Sequence, residues 1–171
     1  MILRSEILKE HSRAHADNIA TWIGTNEKRF ASLLQLFLHD DYRVVQRSAW
    51  VISIVADRHP ELLKPHLELI IGRMNDNRLP AAVKRNVVRL LQEIEIPETL
   101  HGSLMDSCFQ FLADPNETIA TRCSSMTVLQ KLSNIYPDIR QELKTIIEEC
   151  LQQAPSAGFK ARAKKVIKSF Q

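Results

Sequence analysis

Glycine is scarce in this 171-residue chain, with 4 residues, and aromatic residues make up only 6%. Few glycines leave few tight turns and few loops able to cradle a phosphate, and neither GxxxxGK nor GxGxxG is present. The shortage of aromatic and β-branched runs argues against sheet. Cysteine is scarce too: Cys108, Cys123 and Cys150 are odd in number, far apart and set in apolar helical contexts. A disulfide framework needs even, dense cysteines in an oxidising compartment, and zinc needs close pairs such as CxxC. The three thiols therefore read as small buried hydrophobes of a reduced cytosol. Long apolar runs are missing as well. The longest nearly uninterrupted one, Ala49 to Ala56, falls far short of the roughly 20 residues that span a bilayer. Met1 to Lys9 has neither a long apolar core nor a cleavage site, so no secretory signal is read there. The expected location is cytoplasmic, with no membrane partner.

What remains is a soluble globular balance, 44% hydrophobic and 25% charged, in a length that fits one domain over residues 1–171. Hydrophobic spacing reads as helix from end to end. Breakers fall at Gly24, His39-Asp40-Asp41, His59-Pro60, Asn75-Asp76-Asn77, Ile96-Pro97, Asp114-Pro115-Asn116, Tyr136-Pro137 and Ala154-Pro155-Ser156. Between them lie segments of about 12 to 18 residues, a usual helix length. Pro80, Pro97, Pro115, Pro137 and Pro155 sit at or beside expected helix starts, where a missing N–H does no harm. Short links of this kind make antiparallel neighbours, so the chain should run as stacked helical hairpins.

The hairpins repeat. Val45, Val83, Ile119 and Phe159 serve as anchors, spaced 38, 36 and 40 residues apart. Four residues after each comes Ala49, Val87, Cys123 or Ala163, and seven after comes Ile52, Leu90, Met126 or Val166. These offsets share one helical stripe and predict a recurring core face. Ser12, Ala16, Ile19, Ala20 and Ile23 match the stripe as a fifth copy with a poor anchor.

A first helix ending in LLQLFL (Leu33 to Leu38), then Asp40-Asp41, then VVQRSAW resembles a HEAT repeat, which pairs two helices over about 40 residues. The resemblance implies an all-α, right-handed α–α superhelix of about four helix pairs at 27–58, 61–95, 98–134 and 138–170, with 1–24 as an N-terminal cap. It also implies that the second helix of each pair lines the concave side. The family's Arg after the anchor is not kept: Gln46, Lys84, Ala120 and Lys160 stand there.

Net charge is +3 overall, which by itself announces no nucleic-acid binder. Split by expected helix, the second helices sum to +9 and the first helices to −3. Positions opposite the core stripe carry Arg47 and Arg58, Arg85 and Arg89, and Lys165 and Lys168. Such a basic stripe suits an acidic protein or peptide, or a phosphate backbone. Trp50, Val51 and Ile54 lie off the core stripe and leave their helix apolar nearly all round. That helix is either covered on both sides, by N-terminal helices folding back over it, or it presents an apolar patch with Trp50 as a binding anchor beside Arg47 and Arg58.

Chemistry is harder to find. His11 and His15 have the i, i+4 spacing of a metal pair, but HSRAH lacks the Glu of HExxH and has no third ligand. His39-Asp40-Asp41 occupies a turn where aspartates cap the next helix. No GxSxG is present. Some HEAT-like enzymes hold two irons on His-Glu dipeptides, and this chain contains none. HEAT-like DNA glycosylases use a basic face lined with aromatics around a carboxylate, for which Trp22 and Trp50 supply little. The expectation is a non-catalytic binding module or scaffold without cofactor or metal. Its basic side would hold an acidic protein or peptide, with nucleic acid or glycosylase-type chemistry as the alternative.

Overall fold

The computed structural model describes residues 1–153 and 155–170. Ala154, counted among the breakers, and Gln171, the end of the expected domain, lie outside the described residues. The chain forms α1 (Leu3–Lys9), α2 (Arg13–Ile23), α3 (Glu27–His39) and α4 (Tyr42–Arg58). Two 3-10 turns (Pro60–Leu62 and Lys64–His66) precede α5 (Leu67–Met74). Then come α6 (Ala81–Leu91), α7 (Glu98–Ala113), α8 (Ile119–Leu132), α9 (Ile139–Gln152) and α10 (Ala157–Lys168). No strand occurs among the described residues. Packing divides the chain into two compact units, Met1–Ile94 and Glu95–Gln171.

Side-chain caps account for half of the α-helix starts. The side chains of Ser12, Asn26, Asp41, Thr118 and Ser156 each accept a backbone N–H from the first turn of α2, α3, α4, α8 and α10. Gly24 ends α2 with φ +49°, a left-handed backbone that L side chains rarely adopt.

In the first unit α4 packs against α1, α2, α3 and α6, and α5 pairs with α6. The expected N-terminal copy is real as a core stripe: Ala16, Ile19, Ala20 and Ile23 are all buried. With neighbours on every side, α4 buries Val44, Val45, Ala49, Val51, Ile52, Ile54 and Val55. This is why its composition is apolar nearly all round.

Two expectations about the helices need correction. The first helix of the second pair does not run from residue 61. Pro60 starts one 3-10 turn and Pro65 sits inside the next, where its ring and missing N–H stop an α-helix. The α-helical part is cut to the 8 residues of α5. The anchor of the third pair is not Ile119, which is 49% exposed at the first turn of α8. The buried stripe of α8 includes Arg122, Met126 and Leu129 and continues to Ser133 at its C-cap. Taking Arg122 as anchor makes the spacings 38, 39 and 37 residues, more regular than before.

An arginine at a core position has to be explained, since Val45, Val83 and Phe159 at the matching places are fully buried hydrophobes. Arg122 is 8% exposed. Its Nε donates to the Leu112 carbonyl at 3.0 Å and its Nη2 lies 3.1 Å from Cys150 Sγ. Its guanidinium carbon stands 4.9 Å from the centre of the Phe159 ring. Leu112 is in the last turn of α7, where unpaired carbonyls and the negative end of the helix dipole favour a cation. One side chain thus joins all four helices of the second unit, with a helix end and a ring face in place of a carboxylate.

Candidate interaction surface

The surface expected to bind a partner divides, in the structure, into side chains used internally and side chains left in solvent. Arg47 is half-buried and donates Nη1 to the Ile7 carbonyl at 2.9 Å, closing the C-terminal end of α1. Its Nε is buried without a partner. Trp50 is half-buried beneath His11, ring centres 5.2 Å apart. Both line a cleft of about 10 Å³ between α1, α2 and α4, room for a single water and nothing larger. Val51 and Ile54 are 2% and 1% exposed. As expected contact residues these two are corrected: they belong to the core under the N-terminal helices and reach no partner. Arg58 donates to Asp17 and Thr21 of α2. Arg13, then Arg58, hold the Asp17 carboxyl below its ordinary range. Arg89 pairs with Asp57 of α4 at 3.1 Å.

α1 is tied down by similar means. Arg4 reaches Asp40 and Asp41 with three hydrogen bonds of 2.8 to 2.9 Å. That arginine holds the Asp40 carboxyl below its usual range. His15 Nε2 lies 2.8 Å from the Glu6 carbonyl. His11 and His15 therefore face different partners, Trp50 and the α1 backbone, and do not converge on one point.

Other cations are exposed without a carboxylate partner among the described residues. In the first unit these include Arg43 and Arg85. In the second they include Lys165 and Lys168, with Lys160 and Lys164 beside them on α10. The opposite-stripe offsets missed Lys160 and Lys164. They count positions centred away from the core, whereas the exposed arc of a peripheral helix is wider than that stripe. α10 carries 5 basic residues and no acidic one. Phe159, Ala163 and Val166 bury its other side completely, and Arg162 is held by Thr127 of α8.

A second hollow, about 380 Å³, lies in the first unit between the start of α3 and the 3-10 turns. Phe30, Leu62, Pro65 and His66 line it, with Glu27 and Glu61 at its rim. Its carboxylates repel an acidic partner.

The thiols are packing groups. Burial pushes the Cys108 thiol up to about 12 and raises Cys123 too, so both stay protonated near neutrality. His101, buried at the start of α7, has Nε2 2.8 Å from the Ile96 carbonyl and Nδ1 3.0 Å from the Tyr136 hydroxyl. A carbonyl can only accept, so Nε2 carries a proton and donates it to Ile96. No group of three or more His, Cys, Asp or Glu able to hold a metal ion occurs among the described residues. No described helix is long and apolar enough to cross a membrane.

No curated protein and no solved structure matched this chain in the comparisons made. A family model described as a HEAT repeat domain matches residues 3–170, which covers the paired helices, the recurring buried stripe and both units. The chain therefore belongs to the HEAT-repeat family, whose members generally mediate protein interaction or scaffolding.

Proposed function

We propose that this protein is a non-catalytic interaction module which holds an acidic protein segment on cations of its second helices. The observation that carries this reading is the division of the basic residues. Arg47, Arg58 and Arg89 are used to fasten helices together. Arg43, Arg85, Lys160, Lys164, Lys165 and Lys168 project into solvent with no carboxylate partner among the described residues. Exposed unpaired cations cost nothing to keep hydrated and steer an oppositely charged partner by the summed field. Rigid helix pairs would hold them in fixed relation within each unit. Exposed aromatics for stacking on bases are few, which favours a protein partner over single-stranded nucleic acid.

The test is titration of the full chain with a fluorescent glutamate-rich peptide and with single-stranded DNA, across ionic strengths from about 50 to 200 mM. Saturable peptide binding that weakens with salt, and is tighter than DNA binding, is expected. DNA binding tighter than peptide binding, with a steep salt slope, would move the protein to the nucleic-acid class. No binding of either at the lowest salt refutes the electrostatic reading.

A further inference from the structure

We infer that α10 is the principal docking element, and that it takes an acidic α-helical segment whose carboxylates recur every fourth residue. This rests on the acidic-partner reading above and names the place and form of the partner. α10 is 12 residues long and buries Phe159, Ala163 and Val166 on one side. The helical period places Lys160, Lys164, Lys168 and Lys165 on the other side, along with Ala157, Gly158 and Ala161, and all seven are exposed. No acidic side chain and no bulky one stands on that face. The small residues let another helix approach closely, while the four ammonium groups reach past its sides to its carboxylates.

Spacing selects the form of the partner. Lys160, Lys164 and Lys168 follow one another at about 6 Å along the axis, from the 1.5 Å rise per residue. Glutamates at i, i+4 and i+8 of a second helix have the same step. The patch is about 12 Å long in all, and it offers lysine point charges without an exposed arginine fork or aromatic platform on α10. Nucleic-acid recognition draws on both of those. The face also lacks the apolar half that an interfacial membrane helix would bury. On α9, beside it in the same unit, Glu142, Glu148 and Glu149 are exposed. They repel an acidic partner and confine it to the α10 side.

The experiment measures fluorescence anisotropy of two labelled alanine-based peptides of equal composition. One carries glutamates at i, i+4 and i+8; the other carries the same glutamates contiguously. Each is titrated with the wild-type chain, with Lys164→Glu/Lys168→Glu and with Arg43→Glu/Arg85→Glu. Single-stranded DNA and vesicles of anionic lipid are the comparison probes. The wild type should prefer the spaced peptide, and Lys164→Glu/Lys168→Glu should weaken that binding by about tenfold or more. The arginine pair should leave it within about twofold. Circular dichroism on each variant excludes loss of fold, which these exposed positions do not threaten. If glutamate peptides bind but only the arginine pair matters, the α10 assignment falls and the acidic-partner reading stands. Equal affinity for the two peptides overturns the helical form. DNA or vesicles binding more tightly than the spaced peptide through the same lysines overturns the partner class. Failure of both peptides to bind the wild type overturns the inference and its premise together.

Discussion

Arg122→Ala would empty a core position where the other repeats keep Val45, Val83 and Phe159. The truncation leaves the buried Leu112 carbonyl with only the 3.7 Å contact from the Cys150 thiol, a loss of about 1–3 kcal/mol. It removes the guanidinium from the Phe159 face, about 1 kcal/mol. It also unburies two methylenes of stem, about 0.8 kcal/mol each. Against these stands relief from holding a charge that is 8% exposed and has no carboxylate partner among the described residues, which returns a few kcal/mol. The net expectation is a loss of about 2–3 kcal/mol, read as a lower urea midpoint by far-UV circular dichroism. Arg122→Met keeps the stem and sheds the charge, so it should cost about 1 kcal/mol. Arg122→Lys keeps the charge without the planar fork or the stacking face, and should resemble the alanine variant. Ile119→Ala, at the anchor position that the sequence spacing predicts, should stay within about 0.5 kcal/mol of wild type because Ile119 is 49% exposed. A lysine variant as stable as wild type would refute the reasoning, and so would an Ile119 variant that costs more than Arg122→Ala.

Tyr136→Phe leaves Nδ1 of buried His101 without its hydrogen-bond partner and should cost about 1–2 kcal/mol in the same denaturation assay, whereas Tyr42→Phe, at an exposed site, should be neutral. Cys108 has its folded pKa raised from 9.0 to about 12, so the folded chain keeps a proton that the unfolded chain gives up. Its contribution is intact below pH 9 and is lost as pH rises toward 12, at about 1.4 kcal/mol per pH unit; Cys108→Ala should flatten the alkaline limb of the stability profile. Arg47→Ala removes the cap on Ile7 and should speed amide exchange in α1 while the α9 amides are unchanged; protection lost equally in α9 would refute a local role.

The repeat was readable from spacing because every packed helix must present an apolar stripe of 3.6-residue period, whatever its neighbours are. Val45 and Val83 anchor their stripes as expected, and Gly24 and the aspartates at 40 and 41 mark true helix boundaries. The register of α8 is not legible in the pattern of apolar residues, because its anchor is an arginine. Nothing local says that Arg122 will meet the end of α7, a thiol on α9 and a ring on α10. The first helix of the second pair was shortened by Pro65, whose cost depends on whether it falls in the first turn or beyond it. Charge followed the same division. The excess of cations on second helices follows from residue order, since helix membership is local. Whether a given cation is available to a partner is a tertiary matter: Arg58 and Arg89 meet carboxylates 41 and 32 residues away, while Lys164 and Lys168 meet none among the described residues. Local periodicity determines which side of a helix is buried, because it concerns one helix and any apolar neighbour. Pairing between distant charges needs the distances among particular helices, and those exist only once the chain has packed.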